Sequence, residues 1–129
     1  MANLSRHPYP KLRNARRGEI HLVSFDPTVG HEIQKTRPAL IIQNDIGNQY
    51  SPLTIVAAIT SKVSRVPYPV EVVTEPTQAN GLSVRSAIRL DQIRTVDRQR
   101  LVRRLGATDG PTMRKVDVAL KISLGLVGL

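Results

Sequence analysis

The sequence predicts a mainly β domain that ends in one helix, a small twisted barrel or sheet with that helix packed on it. Two observations predict it. Short runs of β-branched and aliphatic residues alternate with turn signals over most of the chain, and the hydrophobic period changes after Asp109. A length of 129 residues sets the scale at one domain with one modest core.

Taken in order, Gly18 to Phe25 reads as the first strand, broken by Asp26-Pro27. Asp26 to Thr36 is a loop containing Gly30, and the apolar run Pro38 to Gln43 has the character of a buried strand. Asn44-Asp45 and Gly47-Asn48 read as turns, followed by a third strand over Thr54 to Thr60. Pro67 and Pro69 open a fourth strand, Val70 to Thr74, and fit either an edge strand or the start of one. Asn80-Gly81 is a turn, Ser86 to Val96 a long strand, and Leu101 to Leu105 a brief one after a turn at Asp97. Met113, Val116, Leu120 and Leu124 then recur at three- and four-residue steps, one face of an amphipathic helix. Asp109 is its N-cap candidate and Pro111 fits the first turn. Residues 1–16 hold two prolines, four basic side chains and no acid, and are expected to be a flexible basic arm ahead of a domain over 17–129.

Composition narrows the function. Nineteen Lys and Arg against ten Asp and Glu give a net charge of +9, which favours a polyanionic partner such as nucleic acid. Ribosomal, membrane-surface and heparin-binding proteins share that balance. With only three Tyr, one Phe and no Trp, there is little material for base-stacking platforms, so RNA contact would rest on Arg, backbone groups and pockets. The absence of Cys excludes disulfides, thiol catalysis and thiolate zinc sites, and suits a reducing cytoplasm. The N-terminus lacks the apolar segment of a secretory signal, and the apolar runs are too short to span a bilayer, so no membrane partner is expected.

Four segments carry a resemblance. They are Arg17-Gly18-Glu19-Ile20 with Asp26-Pro27-Thr28-Val29-Gly30-His31-Glu32; Lys35-Thr36-Arg37-Pro38-Ala39-Leu40-Ile41-Ile42; Ala57-Ala58-Ile59-Thr60-Ser61; and Leu90-Asp91-Gln92-Ile93-Arg94-Thr95-Val96-Asp97. Together, and with the C-terminal Met113, Val116-Asp117 and Ala119-Leu120, they resemble the MazF/PemK family of bacterial toxins over nearly everything after the arm. The resemblance implies an SH3-like barrel of the CcdB/PemK kind and a homodimer. It also implies a cofactor-free, metal-independent endoribonuclease that cuts single-stranded RNA, and an antitoxin whose disordered acidic segment fills the RNA groove. CcdB toxins share that fold yet poison DNA gyrase without catalysis, and a module that binds nucleic acid without cutting it is the third reading.

Cleavage of RNA by its own 2′-hydroxyl needs a base, charge stabilisation at phosphorus and an acid for the leaving oxygen. By position in the resemblance, His31, Arg37, Thr60, Arg89 and Asp91 are the catalytic candidates. Arg37 can grip two phosphate oxygens at once, and the Thr60 hydroxyl can donate to another. Arg89 and Asp91 share one face of a strand; read alone they form an ordinary ion pair, and the resemblance makes them an active-site pair. Asp91 is the expected base and His31 the expected acid, with Arg89 confined to electrostatic stabilisation because a guanidinium does not deprotonate. Glu32, Lys35, Thr36, Ser61, Arg85, Ser86 and Arg94 are the expected RNA contacts. Many members of the family have an acid where this chain has Arg85, so its cut sequence is expected to differ. The run Arg94, Arg98, Arg100, Arg103, Arg104 is expected to be an outer basic face that adds salt-dependent affinity.

Overall fold

A computed structural model of the chain describes residues 14–32, 35–66 and 68–128. Six strands, β1 (Glu19–Ser24), β2 (Thr36–Ile41), β3 (Leu53–Thr60), β4 (Glu71–Thr74), β5 (Ser86–Asp97) and β6 (Leu101–Ala107), form one antiparallel sheet in the order β4-β5-β3-β2-β1-β6. Two helices, α1 (Asp45–Tyr50) and α2 (Gly110–Ser123), complete it. The expected mainly β fold with a C-terminal helix is present. The sheet is twisted, and among the described residues the ladder stays open between β4 and β6.

What bridges that gap is the segment after β4. Ala107 N–H donates to the Ala79 carbonyl at 2.9 Å, so residues 79–81 run against the end of β6. The approach tolerates no side chain on either partner. A Cβ on Gly81 (φ +70°) would lie 2.1 Å from the Leu105 carbonyl oxygen, and one on Gly106 would lie 2.2 Å from that of Ala79. Asn80 is buried between them and ties the turn together: its Oδ1 accepts from Thr77 N–H and Leu82 N–H, and its amide donates to the Glu75 carbonyl.

Alternation along the strands sorts the core into two faces. Ile20, Leu40, Ala57, Ile59, Ile88 and Leu90 pack with Val116 and Ala119 of α2. Val23, Phe25, Ala39, Ile41, Val56, Ala58, Val96 and Leu101 form a second cluster on the other face, together with Ala15. The expected arm lies for the most part outside the described residues; Ala15, assigned to it, belongs to the core. The β1–β6 pairing carries a fixed ion network: Glu19 takes His21 Nε2 on one oxygen and Arg104 Nε on the other. Burial alone would raise the Glu19 pKa; the bonds from His21, Arg104 and Arg16 N–H outweigh it and hold the carboxyl below its ordinary value.

Asp109 caps α2 by accepting from Thr112 N–H, with Pro111 in the first turn, as the sequence reading expected. The turns expected at Asn44-Asp45 and Gly47-Asn48 are instead one helix, α1. Asn44 is its N-cap and accepts from Gly47 N–H, while Asn48 is buried and bonded to Gln43, Asp45 and the Thr54 hydroxyl. Residues that favour turns are also the residues that cap helices, and here capping prevails. Thr36 and Arg37, expected to precede the second strand, are its first two residues, and the last strand runs on to Ala107.

Gly106→Ala should destabilise the protein by about 2–3 kcal/mol, a typical cost of forcing atoms into a filled site. Urea unfolding measures it; a loss within about 0.5 kcal/mol would mean that the 79–81 segment moves freely from β6.

Candidate active site

The site begins where two neighbouring strands part. Ile42 N–H donates to the Ile55 carbonyl, so the even-numbered residues of this stretch direct their backbone groups toward β3. Pro38 falls in that set and has no N–H to give. The β2–β3 pairing ends at Ala39↔Ala58, one residue short of Pro38, whereas β1 and β2 stay paired out to Ser24↔Thr36. On the other side β3 shifts register against β5 between Ala57 and Ile59 and then follows β5 to Thr60↔Ala87. The end of β2 therefore stays with β1 and the end of β3 with β5, and a cleft opens between Arg37-Pro38 and Ile59-Thr60.

Two cavities meet in this cleft. One, about 330 Å³, is lined by His31, Glu32, Arg37, Thr60, Ser61, Lys62 and Arg89. The other, about 340 Å³, shares Arg37, Thr60 and Ser61 and extends under the Gly81–Val84 segment to Ser86 and Arg103. Arg37, Thr60 and Ser61 are thus the centre of one continuous groove. The Thr60 oxygen accepts from Lys62 N–H at 3.1 Å, which leaves the hydroxyl proton able to donate into the groove.

Loops carrying the rest are braced from behind. Glu71, nearly buried on β4, accepts from Ser64 N–H at 3.1 Å and from the Ser64 hydroxyl at 2.7 Å, which fixes the segment after Thr60. On the opposite rim, the neck of the loop that carries His31 and Glu32 is closed by Phe25 N–H to the Lys35 carbonyl and by Lys35 N–H to Asp26 Oδ1. Lys35 adopts φ +68°, an unfavourable region for a residue with a side chain, and so turns the chain sharply into β2. Glu32 closes the loop tip by exchanging bonds with Val29.

Arg89 reaches the groove from β5, and Asp91 holds it there. Nε donates to Asp91 Oδ1 at 2.9 Å and Nη2 to Oδ2 at 2.7 Å, a two-pronged contact, with the Tyr68 ring 5.8 Å from the guanidinium carbon. The bond to Asp91 raises the Arg89 pKa further, so Arg89 stays charged and cannot act as a proton donor. Asp91 itself lines neither cavity, and both its oxygens face Arg89.

The remaining expected RNA contacts divide. Glu32, Ser61 and Ser86 line the groove, although the Ser86 hydroxyl donates to the Val84 carbonyl. Lys35 and Thr36 flank it without lining either cavity. Arg85 pairs with Glu75 on the surface, and Arg94 donates to the Phe25 carbonyl at 2.6 Å, where it braces the neck of the 25–35 loop. Two basic lining residues stood outside the expected set. Lys62 directly follows the matched Ser61, and Arg103 was assigned to the outer basic run.

This fold and groove define a class. Residues 16–124 match the model of the PemK-like, MazF-like toxins of type II toxin–antitoxin systems, and the chain belongs to that family. It is 44% identical over 112 residues to endoribonuclease EndoA of Bacillus subtilis (strain 168), which covers 87% of this chain and 96% of that protein. It is also similar to the crystal structure of MazF from Deinococcus radiodurans, with a TM-score of 0.74 and 26% identity over 88% of this chain and 98% of that one. A MazE-MazF structure from the same organism matches with a TM-score of 0.69 and 26% identity, over 89% and 99% of the two chains.

The Arg89–Asp91 pair is partly exposed, so its contribution to folding is small. Asp91→Ala should change stability by about 1 kcal/mol or less, the range of solvent-accessible ion pairs. A loss of several kcal/mol in chemical denaturation would show that the pair serves the fold rather than the groove.

Proposed function

We propose that this chain is the toxin endoribonuclease of a type II toxin–antitoxin pair and cuts single-stranded RNA at short sequences without a metal ion. The observation that carries this reading is the convergence of Arg37, Thr60, Ser61, His31 and Arg89 on one groove at the parting of β2 and β3. Similarity to endoribonuclease EndoA supports the activity, and the family description supports the antitoxin. A non-catalytic gyrase poison would have no use for such a constellation.

The geometry suggests the following division of labour. Arg37 and Arg89 hold the scissile phosphate, and the Thr60 hydroxyl donates to a non-bridging oxygen as negative charge grows there. The RNA's 2′-oxygen attacks phosphorus while its proton passes to a base, and the 5′-oxygen leaves with a proton from an acid. His31 is placed to be that acid. Asp91 can serve as the base only if Arg89 turns away from it; Glu32 is the carboxylate already on the groove wall. Comparing Asp91→Asn with Glu32→Gln in single turnovers assigns the base: the variant that loses rate at saturating RNA has lost it.

Arg37→Ala should slow cleavage of saturated RNA a hundredfold or more, since one preorganised donor contributes about 2.7–4 kcal/mol. Arg37→Lys should recover little, because a point charge cannot make the two-pronged contact. The products should carry 2′,3′-cyclic phosphate and 5′-hydroxyl ends and should form in EDTA. End-group analysis decides this; 5′-phosphates, or inhibition by chelation, would overturn the route.

The working state of this reading is a cytoplasmic homodimer restrained by an antitoxin whose acidic, disordered segment folds into the basic groove. Among the described residues no helix is long and apolar enough to cross a membrane. Saturating antitoxin peptide should abolish RNA binding by direct competition, and light scattering at micromolar concentration should give twice the chain mass. Unchanged RNA affinity would refute the blocking model, and a monomer mass the dimer.

A further inference from the structure

Arg103 differs from the bonded arginines of its run, and from Arg98, whose Nε is buried without a partner. In the basic run, Arg94 is bonded to the Phe25 carbonyl, Arg100 to the carbonyls of Ser24 and Asp26, and Arg104 to Glu19. No hydrogen bond or ion pair among the described residues engages Arg103, which is exposed on the edge strand β6. In the β1–β6 register it stands opposite Leu22, and directly paired residues share a face. Leu22 lines the cavity under the Gly81–Val84 segment, and Arg103 lies on the same wall.

We propose that this cavity receives one nucleobase beside the scissile phosphate and that Arg103 selects that base by its acceptor edge. The inference rests on the ribonuclease reading above. The cavity shares Arg37, Thr60 and Ser61 with the phosphate-holding half of the groove, so an RNA seated on Arg37 has a neighbouring nucleoside over it. Leu22, Pro38, Leu82 and Leu105 supply an apolar lining for the faces of a base, in place of the aromatic platforms that the chain lacks. The wall is set before RNA arrives, because Asn80 pins the turn and the Gly81–Leu105 and Gly106–Ala79 approaches lock it to β6.

A pocket with an apolar lining discriminates weakly, so choice falls to polar groups at its rim. Arg103 offers only donors. It therefore fits a base that presents two adjacent acceptors, as guanine does with O6 and N7. Cytosine does so on its other edge, with O2 and N3, whereas the adenine acceptors are not adjacent and the two uracil carbonyls are separated by an N–H.

The test is to digest a long RNA of mixed sequence with the full-length protein, sequence the cut ends, and repeat with Arg103→Ala and Arg103→Gln. The wild-type pattern should prefer guanine or cytosine, the bases with two adjacent acceptors, at one position flanking the cut. Arg103→Ala should lose about tenfold or more of the discrimination at that position and keep it elsewhere, as expected when one two-pronged base contact is removed. Arg103→Gln should shift the preference toward adenine, whose N6 and N7 suit an amide. An unchanged cut sequence, with binding weakened equally at all sites and a salt slope lowered by about one, would make Arg103 a phosphate contact and overturn the proposal. A wild-type preference for adenine or uracil at that position would equally overturn the proposal. If the wild-type protein cut no RNA at all, the ribonuclease reading itself would fall, a result distinct from cleavage with an unaltered pattern.

Discussion

The missing N–H of Pro38 shapes the site. A residue able to donate there could extend the β2–β3 ladder beyond Ala39↔Ala58 and bring the strand ends together. With proline, β2 follows β1, β3 follows β5 past its register shift, and the gap between them becomes the groove. The same residue restricts Arg37 to extended backbone, so the cation at the centre of the groove and the space beside it have one origin. A proline inside a sheet is usually confined to an edge, and β2 becomes an edge at this end by that logic.

A net charge of +9 is not by itself a binding surface. Many of the cations hold the structure together. Arg17 joins Asp117 of α2 and the Ile42 carbonyl, Arg104 joins Glu19, and Arg94 and Arg100 close around the carbonyls of residues 24–26. Guanidinium groups suit this bracing because their several N–H groups satisfy backbone acceptors that would otherwise be left at loop necks. The charge directed at a ligand is the smaller set Arg37, Lys62, Arg89 and Arg103, arranged along a concave groove, where their field is screened less than it would be on an open surface.

Local pattern made much of the fold legible. Strand existence follows from runs of Val, Ile, Leu and Ala between Gly, Pro, Asn and Asp, and the C-terminal helix from its period and its Asp109 cap. The helix α1 escaped because Asn44, Asp45, Gly47 and Asn48 are turn-formers in isolation; the decisive feature, burial of Asn48 against Gln43 and Thr54, is tertiary. For the site, the sequence named Arg37, Thr60, Ser61, His31, Glu32 and Arg89 through the family motifs, and the fold brings these together. It named Arg94 as an RNA contact and left Arg103 in the outer basic run, whereas the fold lays Arg94 against the loop neck and puts Arg103 on the cavity wall. Both are arginines in one basic run; the register of β6 on β1 sets Arg103 beside the cavity-lining Leu22, and the bond to the Phe25 carbonyl sets Arg94 at the loop neck.

How a small domain with four aromatic residues can grip RNA then follows from its bracing. Aromatic platforms bind bases through large rigid surfaces at little entropic cost. Without them, flexible Arg and Lys side chains would have to be ordered on binding, at a cost in rotamer freedom for each. The chain offsets this by fixing the backbone around the groove in advance. Asn80 fixes the 79–82 turn, Glu71 fixes the segment after Thr60, Asp91 clamps Arg89, and Arg94 and Arg100 hold the neck of the His31 loop. Each brace is a polar group that meets a backbone or side-chain partner, so the free energy of RNA binding need not be used to order the walls. The groove is built by hydrogen bonds made during folding, and the cations that line it meet a ligand on walls already in place.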